Sequence, residues 1–222
     1  MASTFSPETI DFLWGLRLNN NRDWFGANRS VYEAQLLEPI RLLGSRVFEA
    51  VRGEFPGAGL NLHISRIYRD ARRLFGRGPF KDHLWFSLEQ PSEGAPRPGF
   101  YFTIAADHYG YGMGFYDAKA ATMQAFREEI DRQPARALAL AEAFAAQDTF
   151  ALCGPEYARP KGQPGGALDR WYNRRLISLE HEAPPDALLF SSELAGRIID
   201  GFRFLMPYYQ WLYGVAVRAE AE

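Results

Sequence analysis

The order of patterns along the chain predicts an α+β fold, a central antiparallel sheet of about four strands packed against N- and C-terminal helices. Three observations carry this. Apolar residues recur at helical spacing up to residue 52 and again after residue 117, whereas residues 62–115 alternate in polarity or are rich in β-branched and aromatic residues. No internal repeat, low-complexity tract or linker interrupts the chain, so residues 1–222 are read as a single domain.

The first helix starts at Ser6-Pro7-Glu8, where Ser6 can cap, Pro7 needs no hydrogen-bond donor and Glu8 faces the positive end of the helix dipole. It runs to about Leu18 and is punctuated by Asn19-Asn20-Asn21, a residue type that tolerates turns. A second helix starts near Asp23. From Arg29 to Arg52 the rhythm stays helical through Leu36, Ile40, Leu43, Val47 and Val51, but Pro39 predicts a kink or two helices abutting near Glu38. After the turn at Gly53–Gly59 the period falls to two. Strands are expected over Leu62–Tyr68, His83–Leu88, Phe100–Ile104 and Tyr109–Phe115, the last two joined by a short turn at Asp107-His108. Helices resume after Asp117 and at Pro134–Ala146. The stretch Gly154–Gly166 holds too many prolines and glycines for regular structure. Arg175–His181 reads as a short edge strand, and a last helix begins at Glu193, is broken or bent before Pro207 and continues to Val217.

Composition narrows the function classes. Among 222 residues, 25 Lys plus Arg stand against 27 Asp plus Glu, a net −2, with 47% hydrophobic and 23% charged residues. That balance excludes a histone-like polycation, an acidic tail and a disordered chain, and argues against a general nucleic-acid surface. Cys153 is the only cysteine, the start lacks a basic and apolar leader pattern, and the longest uncharged stretch, Phe204–Val217, is too short to span a bilayer. A cytoplasmic protein away from membranes is expected; the oligomeric state is left open.

Strand alternation sorts the sheet into two faces. Leu84, Phe86, Leu88, Phe100, Phe102, Ile104, Tyr109, Tyr111, Met113 and Phe115 would pack on helices. The other face would carry His83, Trp85, Ser87, Tyr101, Thr103, Gly110, Gly112 and Gly114. Three glycines on one strand face call for something close above them, either a ligand pocket or a helix. The charge is most uneven between Arg66 and Lys81, where Arg66, Arg69, Arg72, Arg73, Arg77 and Lys81 face Asp70 alone. Six cations against one acid make +5, which leaves −7 for the rest. Such a cluster needs something negative, either protein carboxylates or a bound anion, and arginine's planar fork suits phosphate or carboxylate.

Standard catalytic motifs are absent: there is no G-x-S-x-G, no phosphate-binding loop and no H-E-x-x-H. Gly110-Tyr111-Gly112-Met113-Gly114 lacks the spacing of a dinucleotide fingerprint and lies inside a strand. The four histidines form no ligand pair at strand or helix spacing, so neither metal nor cofactor is expected, although His83 beside Asp82 is the place to look for a metal. For acid or base chemistry, Asp70 and His83 are the catalytic candidates, being the titratable groups nearest the cations together with Asp82 and Tyr101.

A resemblance adds to this. Asn19-Asn20-Asn21-Arg22-Asp23-Trp24-Phe25 with Tyr32 and Pro39, then Arg66-Ile67-Tyr68-Arg69-Asp70-Ala71-Arg72 with Pro79-Phe80-Lys81, then Pro98-Gly99-Phe100-Tyr101, Gly112 to Gly114, Arg127 and Pro160-Lys161-Gly162 resemble the family catalogued as domain of unknown function 2461. The resemblance covers nearly the whole chain in order and implies one α+β domain. It implies no reaction. Two stretches depart from the family pattern, Arg73-Leu74-Phe75-Gly76-Arg77-Gly78 before the lysine and Gln163-Pro164-Gly165-Gly166 with Trp171–Arg175 after Lys161-Gly162, so the ligand here can differ from that of relatives.

The combined expectation is a pocket for an anionic small molecule, phosphorylated ones included. Arg66, Arg69, Arg72 and Lys81 would bind charge, Trp85 and Tyr101 would form a wall, and Asn20, Trp24 and Lys161 would close the rim. A hydrolase, a transferase or a sensor all fit. The alternative is an interaction or structural protein whose partner surface is the C-terminal Tyr208, Tyr209, Trp211 and Tyr213.

Overall fold

The computed structural model describes residues 5–70, 72, 76–92 and 96–221. The architecture is α+β, with one antiparallel sheet flanked by helices. The sheet has six strands rather than about four, in the order β1-β2-β3-β4-β6-β5. The expected four are β1 (Asn61–Ile64), β2 (His83–Glu89), β3 (Gly99–Ala105) and β4 (Tyr109–Gly114). The additional strands are β5 (Ala151–Cys153) and β6 (Ser178–Ala183). β5 has only three residues, too few for a period to register, and β6 is an inner strand between β4 and β5 rather than an edge.

The chain divides into two compact units. The first comprises residues up to Leu88 with Tyr101–Tyr111 and Glu182–Asp200. Here α1 (Pro7–Leu18), α2 (Arg22–Ala27) and α3 (Arg29–Tyr32) lead through a π-helical turn (Glu33–Leu37) into α4 (Glu38–Glu54). Pro39 explains the turn. It has no N–H to offer the Gln35 carbonyl one helical turn back, so the winding loosens and the Thr9 hydroxyl donates to that carbonyl at 2.7 Å. The expected junction near Glu38 is therefore a continuous helix with a π turn. The Thr9 hydroxyl also accepts from the Ser6 N–H at 3.1 Å, which fixes the start of α1. Leu13, Leu16, Leu36, Ile40 and Val47 are buried with Leu84, Phe86, Phe102 and Ile104, the face assigned to packing.

The second unit comprises Glu89–Phe100, Gly112–His181 and Gly201–Glu222. It holds α5 (Ala120–Arg132), α6 (Pro134–Ala145) and α7 (Asp169–Tyr172). Two of the glycines on β4 take an occupant not foreseen, since the β6 backbone lies against them. A Cβ on Gly112 would stand 2.1 Å from the Leu179 carbonyl oxygen, and one on Gly114 would stand 2.6 Å from that of Ile177. All of β4 is buried.

The last helix, α8 (Leu194–Ala221), is unbroken and carries Pro207 in its interior. Pro207 is exposed, so the carbonyl it leaves without a helical partner can turn to solvent while Leu205, Met206, Tyr208 and Tyr209 stay buried. No described helix is long and apolar enough to cross a membrane.

Candidate functional site

The first unit builds its charged cluster on two paired segments. Ser65 N–H donates to the Trp85 carbonyl at 2.9 Å, Lys81 N–H to that of Ile67 at 2.7 Å and Arg69 N–H to that of Pro79 at 2.9 Å, with a bridge between Tyr68 and Phe80. The expected strand Leu62–Tyr68 is thus β1 followed by a looser ladder. Asn20 clamps this ladder to the α1–α2 turn, because its side-chain amide donates to the Phe80 carbonyl at 2.9 Å while its oxygen accepts from the Phe80 N–H at 3.0 Å.

Asp82 is the anionic centre. Arg17 Nε donates to it at 3.0 Å, Arg69 Nη2 at 3.3 Å, and His83 Nδ1 stands 3.4 Å away. Burial alone would raise its carboxyl. A backbone hydrogen bond, His83 and Arg17 together outweigh that and hold it below the usual carboxylate range. Arg17 also grips Asp107 with both terminal nitrogens, at 2.9 and 3.1 Å. His83 is pushed down, chiefly by burial and against its bond to Asp82, which favours the neutral imidazole.

The cations are only partly neutralised. Arg69 Nε donates to the Phe80 carbonyl at 2.7 Å, and its Nη2 shares Asp82. Lys81 makes no ion pair among the described residues; its ammonium lies 5.9 Å from the Trp85 ring centroid and is pushed down by burial and by Arg69 and Arg66. Arg66 is exposed and likewise has no ion pair among the described residues. Arg72 is taken up locally: Asp70 accepts from both its backbone N–H and its guanidinium, and its side chain is 88% exposed. Arg73 lies outside the described residues.

Beside this ladder opens a cleft of about 440 Å³ lined by Arg22, Phe25, Gly26, Arg29, Tyr68, Arg69, Pro79 and Phe80. Phe25 and Phe80 stack at 4.1 Å, and Tyr68 lies 5.3 Å from Phe80. Arg29 pairs with Glu33 at 2.9 Å on an exposed helix face, and Arg22 has no ion pair among the described residues. Among the described residues no carboxylate belongs to the lining.

Of the expected ligand-binding residues, Arg69 lines the cleft. Lys81 stands within electrostatic reach of Arg69 and Arg66 and beside the Trp85 ring, but Arg66, Lys81 and Trp85 are not part of the cleft lining. Asn20 holds the ladder in place. Trp24 packs on α1, 5.7 Å from Phe12 and so close to Gly15 that a Cβ there would stand 2.6 Å from its ring. Tyr101 is half-buried on β3. Lys161 belongs to the second unit, with its ammonium 4.8 Å from the Tyr157 ring centroid. Asp70 is occupied by Arg72, and neither Asp70 nor His83 lines the cleft. Arg17, Arg22 and Arg29 are not singled out by the charge pattern. Yet Arg22, Phe25, Gly26 and Arg29 stand at i, i+3, i+4 and i+7, the spacing of one helix face.

The cleft-lining Phe25, Tyr68, Arg69, Pro79 and Phe80 are among the residues that carry the family resemblance. Residues 8–211 match the model of the family described as "Conserved hypothetical protein (DUF2461)". The chain belongs to the DUF2461 family. No curated protein matches it. Another signature of the DUF2461 resemblance, Pro160-Lys161-Gly162, sits in a loop pinned by Asn173, whose side chain accepts from Lys161 N–H at 2.7 Å and donates to the Gly162 carbonyl at 3.0 Å. The C-terminal aromatics are mostly core: Tyr208, Tyr209 and Trp211 are buried, and the Tyr213 hydroxyl donates to Gln90.

Proposed function

We propose that this DUF2461 protein binds an anionic small molecule with a flat apolar portion in the cleft of its first unit. The carrying observation is the lining, which among the described residues brings together three guanidiniums and three aromatic rings and no carboxylate. Arg22, Arg29 and Arg69 offer forks to a phosphate or carboxylate, and the exposed Tyr68 ring, backed by the buried Phe25–Phe80 stack, offers an aromatic surface to the remainder of the ligand. Arg66 and Lys81 nearby, without an ion pair among the described residues, add a positive field that draws an anion in. Binding is favoured over catalysis, because the described residues of the lining include no carboxylate, imidazole, thiol or aliphatic hydroxyl to serve as base or nucleophile.

Phenyl phosphate is the simplest probe of both halves of the cleft. It is expected to raise the melting temperature of the ligand-free full chain, and Arg22→Gln with Arg29→Gln is expected to weaken its binding at least tenfold while leaving the unliganded melting temperature unchanged, since both side chains are exposed. Absence of a shift in the starting protein, or equal affinity in the double variant, overturns the proposal.

A further inference from the structure

The second unit holds a cation that the first cleft does not explain. Arg127, on α5, is only 7% exposed. Its Nη2 donates to Gln124 at 2.9 Å, its Nη1 finds no hydrogen-bond partner among the described residues, and it makes no ion pair among them. Arginine keeps its charge at any physiological pH, so a buried guanidinium with an idle donor and no counter-charge is costly. Its flat side lies 5.3 Å from the Tyr157 ring centroid, and the same ring carries Lys161 at 4.8 Å. Two cations on one ring repel each other unless an anion joins them.

None of the neighbouring acids pairs with Arg127 among the described residues. Asp131 accepts from the Tyr172 hydroxyl at 2.9 Å, Glu128 accepts from Gln124 at 2.7 Å, Glu129 pairs with Arg132 and Arg218, and Glu156 pairs with Arg174. The loop that delivers Tyr157 and Lys161 is built rather than slack. Tyr157 N–H donates to the Asn173 carbonyl at 3.0 Å, the Asn173 side chain holds both Lys161 and Gly162, and a Cβ on Gly162 would stand 2.6 Å from the Tyr172 ring.

We infer that Arg127 and Lys161, with Tyr157 between them, form a second anion site that takes a phosphate group. The two charges match the −1.5 to −2 of a phosphate monoester at pH 7, roughly twice what a lone carboxylate supplies. Arg127 Nη1 is closed off from solvent, so a phosphate must open a path to it, while exposed Lys161 meets the ligand from the open side.

The test uses the full chain carrying Arg22→Gln and Arg29→Gln, which removes cations of the first cleft without touching the second unit. Titration with inorganic phosphate in a calorimeter is expected to show one saturable event, and adding Lys161→Gln is expected to weaken it at least tenfold with the melting temperature in phosphate-free buffer unchanged. No saturable binding, or binding indifferent to Lys161→Gln, overturns the site. Acetate binding as tightly as phosphate overturns the assignment of the ligand class. Because Arg22 and Arg29 are gone in this background, binding that persists in it and falls with Lys161→Gln belongs to the second unit, and failure here leaves the reading of the first cleft to stand or fall on phenyl phosphate.

Discussion

Asn19, Asn20 and Asn21 show how much a residue type conceals. Asn19 ends α1 by donating to the Gly15 carbonyl at 3.0 Å, Asn21 caps α2 by accepting from Trp24 N–H at 2.9 Å, and Asn20 holds both backbone polar groups of Phe80. The two caps follow from local chemistry and are legible as a turn. The Asn20 clamp reaches 60 residues along the chain, and no local pattern announces a partner that distant. Asn20→Ala leaves the part-buried Phe80 amide without its partner and its carbonyl with Arg69 Nε alone, at a cost of about 1–2 kcal/mol. Asn20→Asp fares little better, since it sets a carboxylate oxygen against the Phe80 carbonyl. Urea unfolding checks this; a loss below about 0.5 kcal/mol in Asn20→Ala, the weak end of a single hydrogen bond, would mean that the ladder is held by other contacts.

Elements are legible where a period has room to show. The strands Tyr109–Gly114 and His83–Glu89 and the helix α6 stand within a residue of their expected limits, because each spans several turns or alternations. Shortness hides β5, and tertiary context decides the outcome at Pro207, which breaks no helix because it faces solvent. Pro39 is the instructive middle case. The missing N–H is legible, but the hydroxyl that answers for it comes from Thr9 on another helix. Thr9→Val keeps the shape of this buried side chain and removes the donor, stranding the Gln35 carbonyl at a cost of about 1–3 kcal/mol, whereas Thr9→Ser keeps the bond and costs less. If the account is right, Pro39→Ala supplies the Gln35 carbonyl with a helical N–H, and Thr9→Val costs markedly less in that background. Denaturation of the four proteins of this double-mutant cycle measures the coupling; additive costs would refute it.

At the scale of the whole molecule, the near-neutral sum hides an uneven distribution of charge, and its consequence is a stability that depends on pH from both sides. His83 is pushed below its usual value chiefly by burial, so the unfolded chain takes up this proton more readily than the folded one. Its contribution is present above about pH 6.5 and is lost as pH falls through that value. Asp82 and Asp107 are held below the usual carboxylate range, so their contribution survives until pH falls below about 4 and disappears as they protonate in the folded state. On the alkaline side the sign reverses. Burial pushes the Tyr32 and Tyr208 phenols up to about 12, so the folded chain holds those protons longer, and their contribution is complete below about pH 10 and is lost as pH rises toward 12. The melting temperature should therefore be flat between about pH 7 and 10, decline gently from 7 to 5 and fall steeply below 4. His83→Gln removes the gentle decline and leaves the steep one. Arg17→Gln, which takes the guanidinium from Asp107 and one of the two from Asp82, lowers the plateau and makes the steep fall shallower, because carboxylates nearer their ordinary values lose less on protonation. Thermal unfolding across this range in wild type and both variants separates the contributions, and a gentle decline that persists in His83→Gln would assign it to another group.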